Sequence, residues 1–170
     1  MQKTKITQLL LMYHRAYLDA MKSEDYAFAV AMAEKVAEVS LKGVLERYSL
    51  VTSYVKTLHS CAALLGFCQK AGIDTKLDLH TMHMLDNAWR QTFEMTRSGL
   101  QEYSFDEGLQ AGVAAEEAML LLQKHWPSAE IADLVGLDEE ILPVRLRPEV
   151  RLYQDITGNS PLELYIREAL

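Results

Sequence analysis

An all-α fold, an up-and-down antiparallel bundle of about five helices with a C-terminal tail of short helices, is predicted by three features of the sequence. Apolar residues recur at helical spacing through most of the first 125 positions, no run alternates with the period of a strand, and caps and glycines punctuate the pattern where helices should end. The chain of 170 residues is 49% hydrophobic and 24% charged with only 4 Pro, which suits one packed core and argues against long disorder. No repeat of fixed length recurs.

Thr7 to Met21 reads as the first helix, with Leu10, Leu11, His14, Tyr17, Leu18 and Met21 on one broad face. The second follows Ser23-Glu24-Asp25, whose acidic residues suit a helix N-terminus, and runs through "DYAFAVAMAEKVAEVSLKGVLERY". Tyr26, Val30, Ala33, Ala37, Leu41 and Val44 form one apolar row along it, and Phe28, Met32, Val36 and Val39 a second, so this helix is expected between neighbours. Glu34, Glu38, Lys42 and Glu46 fall four apart in single file, and their spacing predicts the one edge that the helix shows to water.

The third helix is expected from Leu50 to Ala71, with Val51, Tyr54, Val55, Leu58, Ala62, Leu65 and Cys68 on one face and Gly72 placed to end it. The fourth, from about Leu77 to Ser98, turns Leu79, Met82, Leu85, Trp89, Thr92 and Phe93 inward. "SFDE", Ser104 to Glu107, is a capping box that opens a fifth helix to about His125. Beyond "HWPSAE" the pattern shortens: Ser128 to Val135 gives a brief helix stopped at Gly136, Pro143 and Pro148 prevent a long one, and "SPLE" at Ser160 caps another. Residues 1–126 therefore read as the bundle and 127–170 as a helical appendage packed on it.

The net charge of −7 repels polyphosphates and anionic membrane surfaces, so double-stranded DNA and membranes are not expected partners. The one basic cluster, Arg145, Arg147 and Arg151 with Arg167 further on, lacks interleaved aromatics and reads as solvated surface. Leu9 to Met12 is too short to span a bilayer and no cleavage site follows Lys3 and Lys5, so a cytoplasmic protein is expected. Cys61 and Cys68 lie seven apart on one helix, too far for a disulfide, and read as buried thiols.

His80 and His83 share a helix face with Asp86 following, the best metal candidate in the sequence, but two imidazoles do not close a site and no metal or cofactor is expected. "SAEIADLVGLDEE", Ser128 to Glu140, sounds like half a helix-turn-helix. Pro143 falls where the recognition helix should run and Asp138, Glu139 and Glu140 carry the wrong charge, so a short packing helix is preferred. Glycine-rich phosphate loops and nucleophile elbows are absent.

Three stretches carry a family resemblance. "SEDYAFAVAMAEKVAEVSLKGVL" combines an acidic start, an aromatic and spaced small residues with Glu38 and Lys42; "KTLHSCAALL" carries His59; and "FDEGLQAGVAAEEAMLLLQ" is a closing helix of small residues and glutamates. Together they resemble the HEPN family (higher eukaryotes and prokaryotes nucleotide-binding domains) over roughly residues 5 to 125. The resemblance implies a central helix whose charged edge opens on a cleft, a homodimer, a nucleotide-type ligand, and a nucleotidyltransferase or toxin as protein partner. Active HEPN ribonucleases carry an Arg, four to six residues, then a His; none of His14, His59, His80, His83 and His125 has that Arg upstream, so their cleavage chemistry is not carried over.

On this reading Lys42 meets phosphate, Glu38 orients it, Arg97 is a second cation and His59 walls the site. The bland reading of Glu38 and Lys42 is a surface pair of about 0.3–0.5 kcal/mol. An alternative is an RNA- or nucleotide-processing enzyme using His59 with Glu38 or Arg97 as acid and base. Leu9 to Tyr13 with Tyr17, and Met82, Met84, Trp89 and Met95, give more apolar surface than one seam needs, which also points to a dimer.

Overall fold

The computed structural model describes residues 3–93 and 102–127, together with 129 and 132. Six helices form: α1 (Lys3–Lys22), α2 (Tyr26–Arg47), α3 (Ser53–Thr57), α4 (Cys61–Lys70), α5 (Leu79–Phe93) and α6 (Phe105–His125), and no strand occurs among the described residues. This is the all-α bundle that the apolar periodicity calls for. Arg97, the end of the fourth helix at Ser98, the arginine cluster and the cap at Ser160 lie outside the described residues; of the brief helix expected from Ser128, only Ala129 and Ala132 are described, both helical.

α2 is the axis, packing against α1, α4, α5 and α6. Asp25 caps it, its carboxylate accepting the Phe28 N–H at 3.2 Å. Every residue from Ala29 to Leu45 is buried. The expectation that Glu34, Glu38 and Lys42 line a watered edge is therefore corrected: their exposures are 0%, 4% and 7%, because α4, α5 and the turn before α4 close over that side too. Glu46, beyond the covered stretch, is half-buried.

Two glycines let the helices approach closely. A Cβ on Gly43 would stand 2.9 Å from a methyl of Leu122 and 3.5 Å from one of Ile6, and a Cβ on Gly108 would stand 2.7 Å from the Met21 sulfur and 3.6 Å from the Tyr26 ring. These contacts set directions as well as distances. α1 runs antiparallel to α2, and α6 lies along α2 in the same sense. Tyr17 fastens the seam by donating its hydroxyl to the Gly108 carbonyl at 2.9 Å.

The single helix expected from Leu50 to Ala71 is two. Thr52 caps α3 through the Val55 N–H, and Ser60 caps α4 through the Ala63 N–H at 3.1 Å. Asp86, reaching from α5, takes the Cys61 and Ala62 N–H groups as well, so the first turn of α4 has its donors satisfied without carbonyls from a preceding turn. Leu58 is extended between the two, and Tyr54, expected inward, is 63% exposed. α4 ends at Gly72, whose φ of +77° admits the left-handed turn that brings the Ile73 N–H to the Cys68 carbonyl at 3.0 Å.

α5 starts later than the apolar pattern suggested. The Asp78 carboxylate accepts the Thr81 N–H at 2.8 Å, and Leu79, in that uncovered first turn, is 54% exposed rather than inward. Met82, Leu85 and Ala88 are buried as expected of an amphipathic face. α6 opens on the capping box read from "SFDE", with Ser104 and Glu107 bonding each other's backbone.

Candidate functional site

The break between α3 and α4 creates the site. It turns His59 out of any helix and against α2, where its Nδ1 stands 3.0 Å from Glu38 Oε1 while 57% of its side chain stays exposed. Lys42, one turn further along α2, donates to the same oxygen at 2.9 Å and to the Lys56 carbonyl at 3.2 Å. Lys35, one turn back, donates to Glu38 Oε2 at 2.6 Å and lies over the Trp89 ring, 3.6 Å from its centroid.

One carboxylate thus holds two ammonium groups and an imidazole. Burial pushes the Glu38 carboxyl up, but hydrogen bonds and charge from Lys35, then from Lys42, outweigh it and leave it below the usual carboxylate range. Such a buried cluster specifies an arrangement more than it stabilises a fold: removing one member costs about 3–5 kcal/mol because the others are left uncompensated. Glu34 lies at its inner end, where burial first and then the Glu38 charge push its carboxyl up to about 9.

A cavity of about 300 Å³ adjoins Lys42, lined also by Lys5 from α1, Glu46, Val51 and Lys56. Lys5 and Lys56 are exposed and Lys42 is buried. Two of the three Lys42 donors are already used, which fixes its ammonium in place, while the other two lysines reach the opening on flexible stems. Three ammonium groups around one concave space favour an anion, and Val51 adds an apolar wall.

Of the residues singled out in the sequence, Glu38, Lys42 and His59 converge here; Arg97 lies outside the described residues. Lys35, Lys5 and Lys56 were missed. Lys35 carries an i,i+3 relation to Glu38 that the sequence does show, whereas Lys5 and Lys56 come from other elements and have no local signal.

The metal candidate does not assemble. Asp86 is 1% exposed and caps α4, while His80 and His83 face a separate cavity of about 370 Å³ with Met84, Asn87, Tyr103, Glu107 and Gln110. Both cysteines are unpaired and buried, as their spacing implied, and burial pushes Cys68 up to about 11. Among the described residues no helix is long and apolar enough to cross a membrane.

Comparison with curated proteins and with solved structures finds no match for this chain. The model of the HEPN domain family, however, matches residues 13–125, which takes in α2 through α6 and the second half of α1. That span is more than half of the 170 residues and contains Lys35, Glu38, Lys42 and His59, so the chain belongs to the HEPN domain family.

Proposed function

We propose that this chain is a non-catalytic, dimeric HEPN module that binds a nucleotide-type ligand, or a nucleotidyltransferase or toxin partner presenting such a group. The observation that carries the reading is the cavity of about 300 Å³ bounded by Lys5, Lys42 and Lys56 in a chain whose net charge is −7. Lysines gathered in one concavity against that overall sign suit a phosphate, which each ammonium meets as a point charge. Glu38 holds Lys42 in position and His59 stands beside it.

Calorimetric titration with mono- and triphosphate nucleotides tests this. Heat is expected with at least one of them, with affinity falling about tenfold in Lys56→Ala or Lys5→Ala, one charge-assisted contact being worth about 1.5–3 kcal/mol. Both lysines are exposed, so neither change should disturb the core. No heat with any nucleotide removes the ligand part of the reading.

One contact favours a second reading, nucleotide or RNA processing by His59. Glu38 takes the Nδ1 side of the imidazole and leaves Nε2 for a reacting group, the arrangement of an oriented general base. A ribonuclease assay comparing the chain with His59→Ala separates the two readings, since activity lost in that variant replaces the non-catalytic module with an enzyme.

A further inference from the structure

We propose that Glu34, Cys61 and Asp86 form a binding site for one divalent transition-metal ion, Zn²⁺ being the cation best suited to a thiolate with two carboxylates. The three residues come from α2, the first position of α4, and α5; all are buried, and one ligand atom from each lies within 4.8 Å of the others. Cys61 Sγ stands 3.6 Å from Glu34 Oε1. A sulfur and a carboxylate oxygen held tetrahedrally by one zinc, at about 2.3 and about 2.0 Å, are about 3.5 Å apart. That edge is already at coordination spacing.

A separate observation points to a missing cation. Glu34 is 0% exposed, yet its Oε2 accepts no hydrogen bond from any donor among the described residues, and beyond the Cys61 thiol its carboxyl shares a side-chain hydrogen bond only with another acid, Glu38. The nearest ammonium, Lys35 Nζ, is 3.8 Å away and donates at 2.6 Å to Glu38 instead. An orphaned buried carboxylate oxygen is commonly explained by an ion or a water. Burial, then the Glu38 charge, raises Glu34, and burial, then the Glu34 charge, raises the Cys61 thiol, so both hold protons that a dication would displace.

Asp86 is a ligand fixed in advance. Its Oδ1 accepts the Cys61 N–H at 2.7 Å, and its Oδ2 accepts the Ser60 hydroxyl at 2.8 Å and the Ala62 N–H at 3.1 Å. The start of α4 thereby orients the carboxylate as outer-shell donors orient metal ligands, and Oδ1 retains a lone pair. Binding forms metal–sulfur and metal–oxygen bonds, and the Cys61 S–H and Glu34 O–H protons leave to solvent. No oxidation state changes. Lys35 stays with Glu38 and Trp89.

The full chain is stripped with chelator and titrated with Co²⁺. One ion per chain is expected, with a near-ultraviolet thiolate-to-cobalt charge-transfer band. Cys61→Ser should abolish the band, and Glu34→Gln, which has no charge to bury, should lose the ion while keeping the parent's helical circular dichroism. No charge-transfer band in the unaltered chain overturns the site and leaves Glu34 as a neutral acid beside Glu38. A band that survives Cys61→Ser overturns it equally.

Discussion

Glu38 accepts from Lys35, Lys42 and the turn that carries His59, so one glutamate ties α2 to the α3–α4 junction. The sequence made Glu38 and Lys42 legible through their i,i+4 order, but it misplaced their surroundings. A polar line four residues apart normally marks the solvated side of a helix; here the neighbours supply counter-charges, and a line of charge buried by tertiary packing has the same spacing as one in water. His14 shows another residue-scale effect. Its Nδ1 is buried without a hydrogen-bond partner, its ring stacks on Tyr17 at 6.2 Å, and burial lowers its pKa from 6.5 to about 4. The folded chain keeps this imidazole neutral where the unfolded chain charges it, so its contribution is full above 6.5 and is lost as pH falls through 6.5 toward about 4. Urea unfolding at about pH 7.5 and about pH 5 should show a loss of about 2 kcal/mol from this group, and His14→Leu should remove that part of the slope. An unchanged slope in the variant would place the acid sensitivity elsewhere.

Three helix boundaries with local caps were readable. Asp25, Gly72 and the Ser104–Glu107 box fall where sequence chemistry places them. The break before α4 was not readable, because half of its cap is Asp86, 25 residues away from Cys61, and no apolar period records a carboxylate arriving from another helix. The pairing of α2 with α6 was equally hidden, since it depends on absent side chains. A Cβ on Gly43 already meets Leu122 at 2.9 Å, and Leu122 is 0% exposed. Gly43→Val is therefore expected to destabilise the chain by about 1–3 kcal/mol despite the entropic cost of glycine in a helix. Leu122→Ala alone should also destabilise, but combined with Gly43→Val the losses should be less than additive, read from chemical denaturation of all four forms. Strict additivity would show that the two residues do not share this space.

At the scale of the whole molecule, the apolar surface left over after packing is unevenly placed. On α5, Met82 is buried and Met84 and Trp89 are half-buried against the core, while Met95 lies outside the described residues. On α1 a surplus remains: Leu10 and Tyr17 turn inward, while Leu11 is 38% and Met12 52% exposed. A second group, Tyr48, Leu50 and Tyr54, is 48%, 41% and 63% exposed around the end of α2 and the start of α3. Large side chains exposed in groups on a small bundle suit a protein contact, and methionine adapts to one at low cost in fit. A two-fold pairing of like surfaces is the commonest closed arrangement. The chain is thus expected to be a dimer at micromolar concentration, with α1 in the contact, and Met12→Glu should shift it toward the monomer by placing a charge there in each copy. Light scattering decides: the mass of a single 19.3 kDa chain for the unaltered protein, or a dimer indifferent to Met12→Glu, would remove α1 from the assembly.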